Sequence, residues 1–294
     1  MSAQDTIFNA NKHVIHCTHG SLDLSVPAVM GILNVTPDSF FDGGRYTQEE
    51  AMLIRVEQML EQGASVIDIG AVSTRPGAKI IPEQEELDRL IPAIQSIRLQ
   101  FPHCLISADT YRASVAREAV RSGADIINDI AGGNGDAGMF AMAAKLKTPY
   151  ILMHMPGTPE TLHEPPFYTN IGKEISAFFT NKIHELKKEG VEQILLDPGF
   201  GFGKSLENNF ELLAQMNAIC LLGYPVLAGF SRKSMINRVL GTKPGEALNG
   251  TTVANTIALM KGASVLRVHD VKEAVEAVKI VMQMKKNDSG HAYP

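Results

Sequence analysis

An eightfold alternation of short β-branched runs with longer amphipathic stretches predicts an α/β protein of the (β/α)8 TIM-barrel class with a short N-terminal β-hairpin. The runs are apolar along their length, as parallel strands buried on both faces must be. No Pro- or Ser-rich linker or shift in composition interrupts the 294 residues, so a single domain over 1–294 is expected, with a doubly wound sheet plus a second domain as the competing reading.

In chain order, His13 to Cys17 and Leu22 to Val26 flank a Thr18-His19-Gly20-Ser21 turn, which reads as a hairpin covering the barrel's N-terminal mouth and places residues 1–25 ahead of the barrel. The first barrel strand is Val26 to Val35, ended by Thr36-Pro37. It precedes a helix over Gln48 to Gln62, where Ala51, Ile54, Met59 and Leu60 mark an apolar face. The next units pair Ser65–Gly70 with Glu83–Gln100, Cys104–Asp109 with Ala113–Ser122, Asp125–Ile130 with Met139–Lys145, and Tyr150–Met155 with Ile171–Lys188. Gln193–Asp197 precedes Asn208–Ile219, Pro225–Phe230 precedes Ala247–Lys261, and Ser264–His269 precedes Val271–Lys285, leaving 286–294 as a frayed tail.

Apolar residues make up 45% of the chain and charged ones 20%, which excludes disordered and fibrous classes. Lys plus Arg number 27 against 32 Asp plus Glu, a net charge of −5, so no global positive field attracts nucleic acid. Cys17, Cys104 and Cys220 are odd in number and lack metal-site spacing, which fits a reducing compartment. Met1 to Ala10 has no basic region followed by an apolar core, and no apolar run is long enough to span a bilayer; the expectation is a cytoplasmic protein with no membrane association.

In this fold the site gathers at the C-terminal ends of the strands. The polar residues finishing the eight runs are Asn34, Asp68, Asp109, Asn128, His154, Asp197, Ser231 with Arg232 and Lys233, and Arg267 with His269. Any one of them fits a solvated barrel end, but eight ends in register point to a site. Asp109, Asp197 and Asn128 suit a planar edge rich in N–H groups, since carboxylates only accept while an amide donates and accepts. Lys233 supplies a point charge and Arg267 a planar cation that stacks on a ring or forks onto phosphate. With His269 and the helix start at Val271 they form an oxyanion region. The loops Thr36 to Arg45, with Phe40 and Phe41, and Ser73 to Ala78 have the composition of closing lids. Gly199 to Ser205 ends like a phosphate-binding P-loop, yet that motif's first glycine falls at Pro198. The segment reads instead as a Gly-rich loop that approaches a flat ligand, with Phe202 against its face. His154 reads as a core histidine.

The segments GILNVTPDSFFDGG (Gly31 to Gly44), STRPGA (Ser73 to Ala78), SADTYRASVAREAV (Ser107 to Val120), IINDIAGG (Ile126 to Gly133), LMHMPGTPETL (Leu152 to Leu162), LLDPGFGFGKS (Leu195 to Ser205), LAGFSRKSMI (Leu227 to Ile236) and LRVHDV (Leu266 to Val271) together resemble the dihydropteroate synthase family over nearly the whole barrel. The resemblance implies condensation of 6-hydroxymethyl-7,8-dihydropterin diphosphate with 4-aminobenzoate and release of diphosphate with Mg2+, along with inhibition by sulfonamides and a homodimer through the C-terminal helices. It implies that Asp109, Asn128, Met153, Asp197 and Lys233 hold the pterin and that Arg267 stacks on it. Asn34, Arg267 and His269 would receive the diphosphate, Asn34 also meeting the metal. Phe40, Thr74, Arg75, Pro76, Phe202, Lys233 and Ser234 would enclose the aminobenzoate, with Asp38 ordering the first loop. Catalytic roles then fall to Asp38, Lys233, Arg267 and His269, in a scheme where the C–O bond breaks first and Lys233 is not a nucleophile.

Two positions depart from the family's pattern: Val72 stands where an acidic residue is common, and Pro156 where glutamine or arginine is frequent. Three alternatives remain: a Schiff-base aldolase using Lys233, a pterin-binding methyltransferase with no use for the two loops, and a paralogue that binds pterin without turnover.

Overall fold

The computed structural model describes residues 14–36, 45–72, 81–157 and 167–288. Strands β1 (Val14–Cys17) and β2 (Gly20–Asp23) pair antiparallel as the expected hairpin, with a tighter turn than the sequence indicates because Cys17 pairs directly with Gly20. Eight parallel strands follow: β3 (Ala28–Asn34), β4 (Val66–Gly70), β5 (Leu105–Asp109), β6 (Ile126–Asp129), β7 (Tyr150–Met153), β8 (Ile194–Asp197), β9 (Leu227–Ala228) and β10 (Val265–Val268). They are hydrogen-bonded in the order β8-β7-β6-β5-β4-β3-β10-β9. A parallel bridge between Leu196 and Val226, with the Leu196 N–H donating to the Pro225 carbonyl at 2.9 Å, joins the two edges and closes the ring. Carried once around the ring, the register that starts at Ala28 returns to the first barrel strand at the level of Thr36, eight residues on. That stagger is the shear of an eight-stranded (β/α)8 barrel.

The helices are α1 (Arg45–Glu61), α2 (Glu83–Gln100), α3 (Ala113–Arg121), α4 (Met139–Leu146), α5 (Ile171–Glu189), α6 (Leu206–Gln215), α7 (Asn217–Cys220), α8 (Ser234–Leu240), α9 (Leu248–Met260) and α10 (Val271–Asp288). Their ends follow local chemistry: the Asn170 side chain accepts from the Lys173 N–H at 3.0 Å to start α5, and Gly190, left-handed at φ 101, ends it. Three details differ from expectation. Asn208–Ile219 is two helices, because the Met216 N–H bonds the Leu213 carbonyl three residues back and tightens the chain there. The short α8 stands in a segment with no expected element, and Lys286 to Asp288, expected in the tail, continue α10.

The outward side chains of the strands pack beneath the helices in the larger of the apolar clusters. Inside the ring every strand contributes, β3 with both Ala28 and Met30 and the others with one residue each from Val66 round to Leu227 and Val265, to an apolar floor that Ile15, Leu22 and Leu24 of the N-terminal segment seal from below. Each such side chain contributes about 1.5–3 kcal/mol on burial. Asp125 fixes the hairpin to this end, accepting from the His19 N–H at 3.0 Å, from Arg98 at 2.8 Å and from the Ile106 N–H at 3.0 Å. Strand side chains alternate, so the residue two places beyond each floor residue also faces inward. On β3 that position holds Ile32, and on the other seven strands Asp68, Ser107, Asn128, Met153, Asp197, Gly229 and Arg267, where the interior turns polar.

Candidate active site

Arg267 organises one side of this polar layer. Its Nε donates to Asp68 at 2.6 Å and its Nη2 to Asp109 at 2.6 Å, so a single guanidinium bridges carboxylates from β4 and β5. Asp68 is wholly buried and also accepts from the Asn128 amide nitrogen at 3.2 and 3.3 Å, which turns the Asn128 carbonyl oxygen away from it. Among the described residues, that oxygen and the Ser107 hydroxyl are buried without a hydrogen-bond partner. Burial pushes Asp109 up to about 7 against the pull of Arg267, and the Asp68 charge adds to the rise. The same two carboxylates hold Arg267 firmly charged although burial opposes it.

Asp197 and two lysines form the other side. The Asp197 carboxylate accepts from the Gly199 N–H at 2.7 Å; burial raises its pKa and the Lys233 charge opposes the rise. The Lys233 ammonium donates to the Phe200 carbonyl and stands 4.5 Å from the centre of the Phe202 ring. Burial lowers it to about 8, with Asp197 opposing. The two sides meet at Gly229, where an added Cβ would lie 3.8 Å from the Lys233 Nζ and 3.9 Å from the Arg267 Cβ.

Lys204, which the sequence analysis did not assign, stands behind them. Its ammonium donates to the carbonyls of Gly199 at 2.8 Å and of His154 and Phe202 at 3.3 Å each, and burial lowers it to about 7. It gathers the Gly-rich loop after β8, where Gly199 and Gly201 are left-handed at φ 70 and 79. A Cβ at Gly199 would fall 2.0 Å from the His154 carbonyl oxygen, and one at Gly201 2.8 Å from the Lys233 Cδ. The glycines thus allow close approach by this protein's own Lys233 and His154. The signal for Lys204 was its place at the end of the false P-loop, and dismissing that motif hid it.

His269 directly follows β10, with its ring Nδ1 2.9 Å from the Ser231 hydroxyl and its carbonyl accepting from Arg55 at 2.6 Å. Burial lowers the imidazole to about 4. Asn34 ends β3, Ser234 opens α8 with its side chain exposed, and Met153 is buried with Tyr111, Ile130 and Met155 in a small cluster on which Phe202 packs. His154 is a core residue, edge-on to Phe178 at 4.8 Å and lowered to about 3 by burial. Of the expected site, the structure brings Asp109, Asn128, Asp197, Lys233 and Arg267 into one layer and adds Asp68 and Lys204. Asp38, Phe40, Thr74, Arg75 and Pro76 lie outside the described residues.

A family model described as "Pterin binding enzyme" matches residues 30–269. A Haemophilus influenzae protein named dihydropteroate synthase is 44% identical over 268 residues, covering 90% of this chain and 97% of that protein. The chain belongs to the dihydropteroate synthase family. Solved structures agree. The Xanthomonas albilineans dihydropteroate synthase with 4-aminobenzoic acid matches with a TM-score of 0.86 and 39% identity, over 96% of this chain and 99% of that one. The Yersinia pestis dihydropteroate synthase in a sulfonamide drug complex matches with a TM-score of 0.86 and 42% identity, over 93% and 100%. As a dihydropteroate synthase the chain is a transferase of folate biosynthesis. Among its described residues no helix is long and apolar enough to cross a membrane.

Proposed function

We propose that the polar layer binds the pterin ring of 6-hydroxymethyl-7,8-dihydropterin diphosphate and that the neighbouring loops bring 4-aminobenzoate to it, giving 7,8-dihydropteroate and diphosphate. The observation that carries the assignment is a set of acceptors without donors. Among the described residues, Asp109 and Asp197 each use one carboxylate oxygen and keep the other free, and the Asn128 carbonyl is unpaired. A flat heterocycle with N–H groups along its edge satisfies all three. The in-plane donors of Arg267 engage Asp68 and Asp109, which leaves its face for stacking on the ring and Nη1 for an anion. Met153 lines the ring's pocket.

The diphosphate falls to Asn34, Arg267 and His269. Mg2+ keeps several waters and takes only one or two protein oxygens beside phosphate. The Asn34 amide at the end of β3 fits that demand, and no cluster of three His, Cys, Asp or Glu among the described residues competes with it. When bound, Mg2+ offsets charge on the departing diphosphate. Arg267 and His269 donate to the phosphoryl oxygens as the C–O bond breaks, and Asp109 and Asp197 supply negative potential beside the electron-poor methylene carbon. The arylamine attacks that carbon from a pocket of Phe202, Lys233 and Ser234. Phe40, Thr74, Arg75 and Pro76, with Asp38 ordering the first loop, are assigned to it by family resemblance. Sulfonamides are inhibitors of this pocket. Lys233, bonded to the Phe200 carbonyl and close to Asp197, orients substrate and forms no imine.

We also assign a second copy of the chain to the C-terminal helices, where Val239, Leu240, Val253, Ile257, Met260 and Ile280 are exposed on neighbouring faces of α8, α9 and α10. Calorimetric titration with 6-hydroxymethylpterin tests the ring site. Asp197→Asn turns a carboxylate acceptor toward an amide and is expected to weaken binding about tenfold or more; unchanged affinity would remove Asp197 from the site.

A further inference from the structure

Ser231 is buried in the turn between β9 and α8 and has no part in the reactions above. Among the described residues its hydroxyl has two contacts, both to one residue: it accepts from the His269 backbone N–H at 3.1 Å and lies 2.9 Å from the ring Nδ1. If Nδ1 carried the ring proton, both contacts would be donations to the Ser231 oxygen, and the hydroxyl proton would be stranded in a buried turn without an acceptor. With Nδ1 bare, every group is matched. The backbone N–H donates to the hydroxyl, and the hydroxyl donates to Nδ1. The ring proton then sits on Nε2, which has no hydrogen-bond partner among the described residues. Burial and the charges of Arg232, Arg267 and Arg55 keep the imidazole neutral, with Asp270 alone opposing, so the tautomer decides whether the open nitrogen donates or accepts.

The turn is held so that this contact persists. Arg232 is left-handed at φ 58, a backbone conformation that side chains rarely adopt. Four hydrogen bonds enforce it: the Lys233 N–H to the Phe230 carbonyl at 3.0 Å, the Arg232 N–H to the Thr251 hydroxyl at 3.2 Å, and the Arg232 guanidinium to both oxygens of Asp270 at 2.6 and 3.2 Å. From the far side Arg55 holds the His269 carbonyl. Two rungs therefore join the turn to the end of β10, Ser231 to His269 and Arg232 to Asp270.

We propose that Ser231 is a positioning residue for the transferase reaction: it fixes His269 as the Nε2–H tautomer, so that a neutral imidazole donates to the phosphoryl oxygens of the leaving diphosphate. A bare nitrogen in that place would oppose a lone pair to those oxygens, whereas an N–H bonds the charge as it develops. The inference rests on the reading of His269 as a diphosphate contact.

The test uses the full chain with 15N-labelled histidine and inorganic pyrophosphate with Mg2+ as the probe. Two-bond 1H–15N correlations near neutral pH should show His269 as the Nε2–H form, with its Nε2 shifting on pyrophosphate addition. In Ser231→Ala part of the population should move to Nδ1–H and the pyrophosphate dissociation constant should rise about tenfold. The affinity for 6-hydroxymethylpterin, which has no diphosphate, should not change. Ser231→Thr keeps the hydroxyl and should keep both properties. A wild-type Nδ1–H pattern, or a Ser231→Ala chain with unaltered tautomer and pyrophosphate affinity, overturns the proposal. His269→Ala separates it from the reading beneath: undiminished pyrophosphate binding there removes His269 from the diphosphate site altogether. A loss there that Ser231→Ala does not share removes only the role of Ser231.

Discussion

Arg267→Ala takes away the one cation that bonds Asp68 and Asp109 among the described residues, and the burial of the three groups sets the size of the effect. The side chains of Asp68, Asp109 and Arg267 are 0%, 12% and 17% exposed, well inside the range where solvent no longer screens a pair. Removing one member of a buried pair costs about 3–5 kcal/mol. The pH dependence follows from Asp109, which burial already holds at about 7 against Arg267. Without the guanidinium it titrates higher still, so the native variant keeps a proton that the unfolded chain, with Asp near ~3.9, has released. Stability then falls as pH rises, by up to about 1.4 kcal/mol per pH unit for each proton retained. Well below pH 7 the wild type carries that proton too, and the two proteins converge. Urea denaturation should give a loss of about 3–5 kcal/mol at pH 8, smaller by up to about 1.4 kcal/mol at pH 5.5. Dihydropteroate synthesis should be abolished at both. A loss under about 1 kcal/mol at pH 8, or one that grows on acidification, would refute the reasoning. Arg267→Lys keeps the charge but lacks the planar fork and the stacking face of the guanidinium, and should recover stability more than turnover.

Lys204→Met releases the carbonyls of Gly199, His154 and Phe202 and should raise the KM for 4-aminobenzoate about tenfold or more in steady-state kinetics, with pterin affinity less affected. Lys233→Ala should lower kcat/KM at least about 100-fold, and borohydride with a carbonyl compound should leave no adduct on the native chain by mass spectrometry, which excludes an imine route. Gly201→Ala places a Cβ 2.8 Å from the Lys233 Cδ at a φ of 79, and should destabilise the chain by about 1–3 kcal/mol in urea while lowering kcat/KM. The profile of kcat/KM should rise as Asp109 ionises near about 7 and fall as Lys233 loses its proton near about 8; a flat profile across that range contradicts both roles.

The barrel was legible because its signal is repeated: eight apolar runs and their crossovers each vote for the same topology, and the strand ends then name the site. What stayed hidden is what periodicity cannot carry. Asp68 appeared as a strand end, yet nothing in one sequence says that it shares Arg267 with Asp109, since these residues lie far apart in the chain and meet only when the ring closes. Lys204 was lost in a motif read for what it failed to be, when its role is to gather carbonyls of its own loop. Ser231 was named at a strand end, but its worth depends on which atom of His269 it touches, a matter of ångströms. Helix α8 escaped because seven residues are too few for a 3.6-residue period to stand out.

The central claim is that this polar layer binds dihydropterin diphosphate and joins it to the arylamine. The purified chain would be incubated with 6-hydroxymethyl-7,8-dihydropterin diphosphate, 4-aminobenzoate and Mg2+, and dihydropteroate and diphosphate measured with each component left out in turn. Equal amounts of both products are predicted, dependent on both substrates and lost in Asp197→Asn. Absence of dihydropteroate despite measurable pterin binding, or undiminished synthesis by Asp197→Asn, would contradict it.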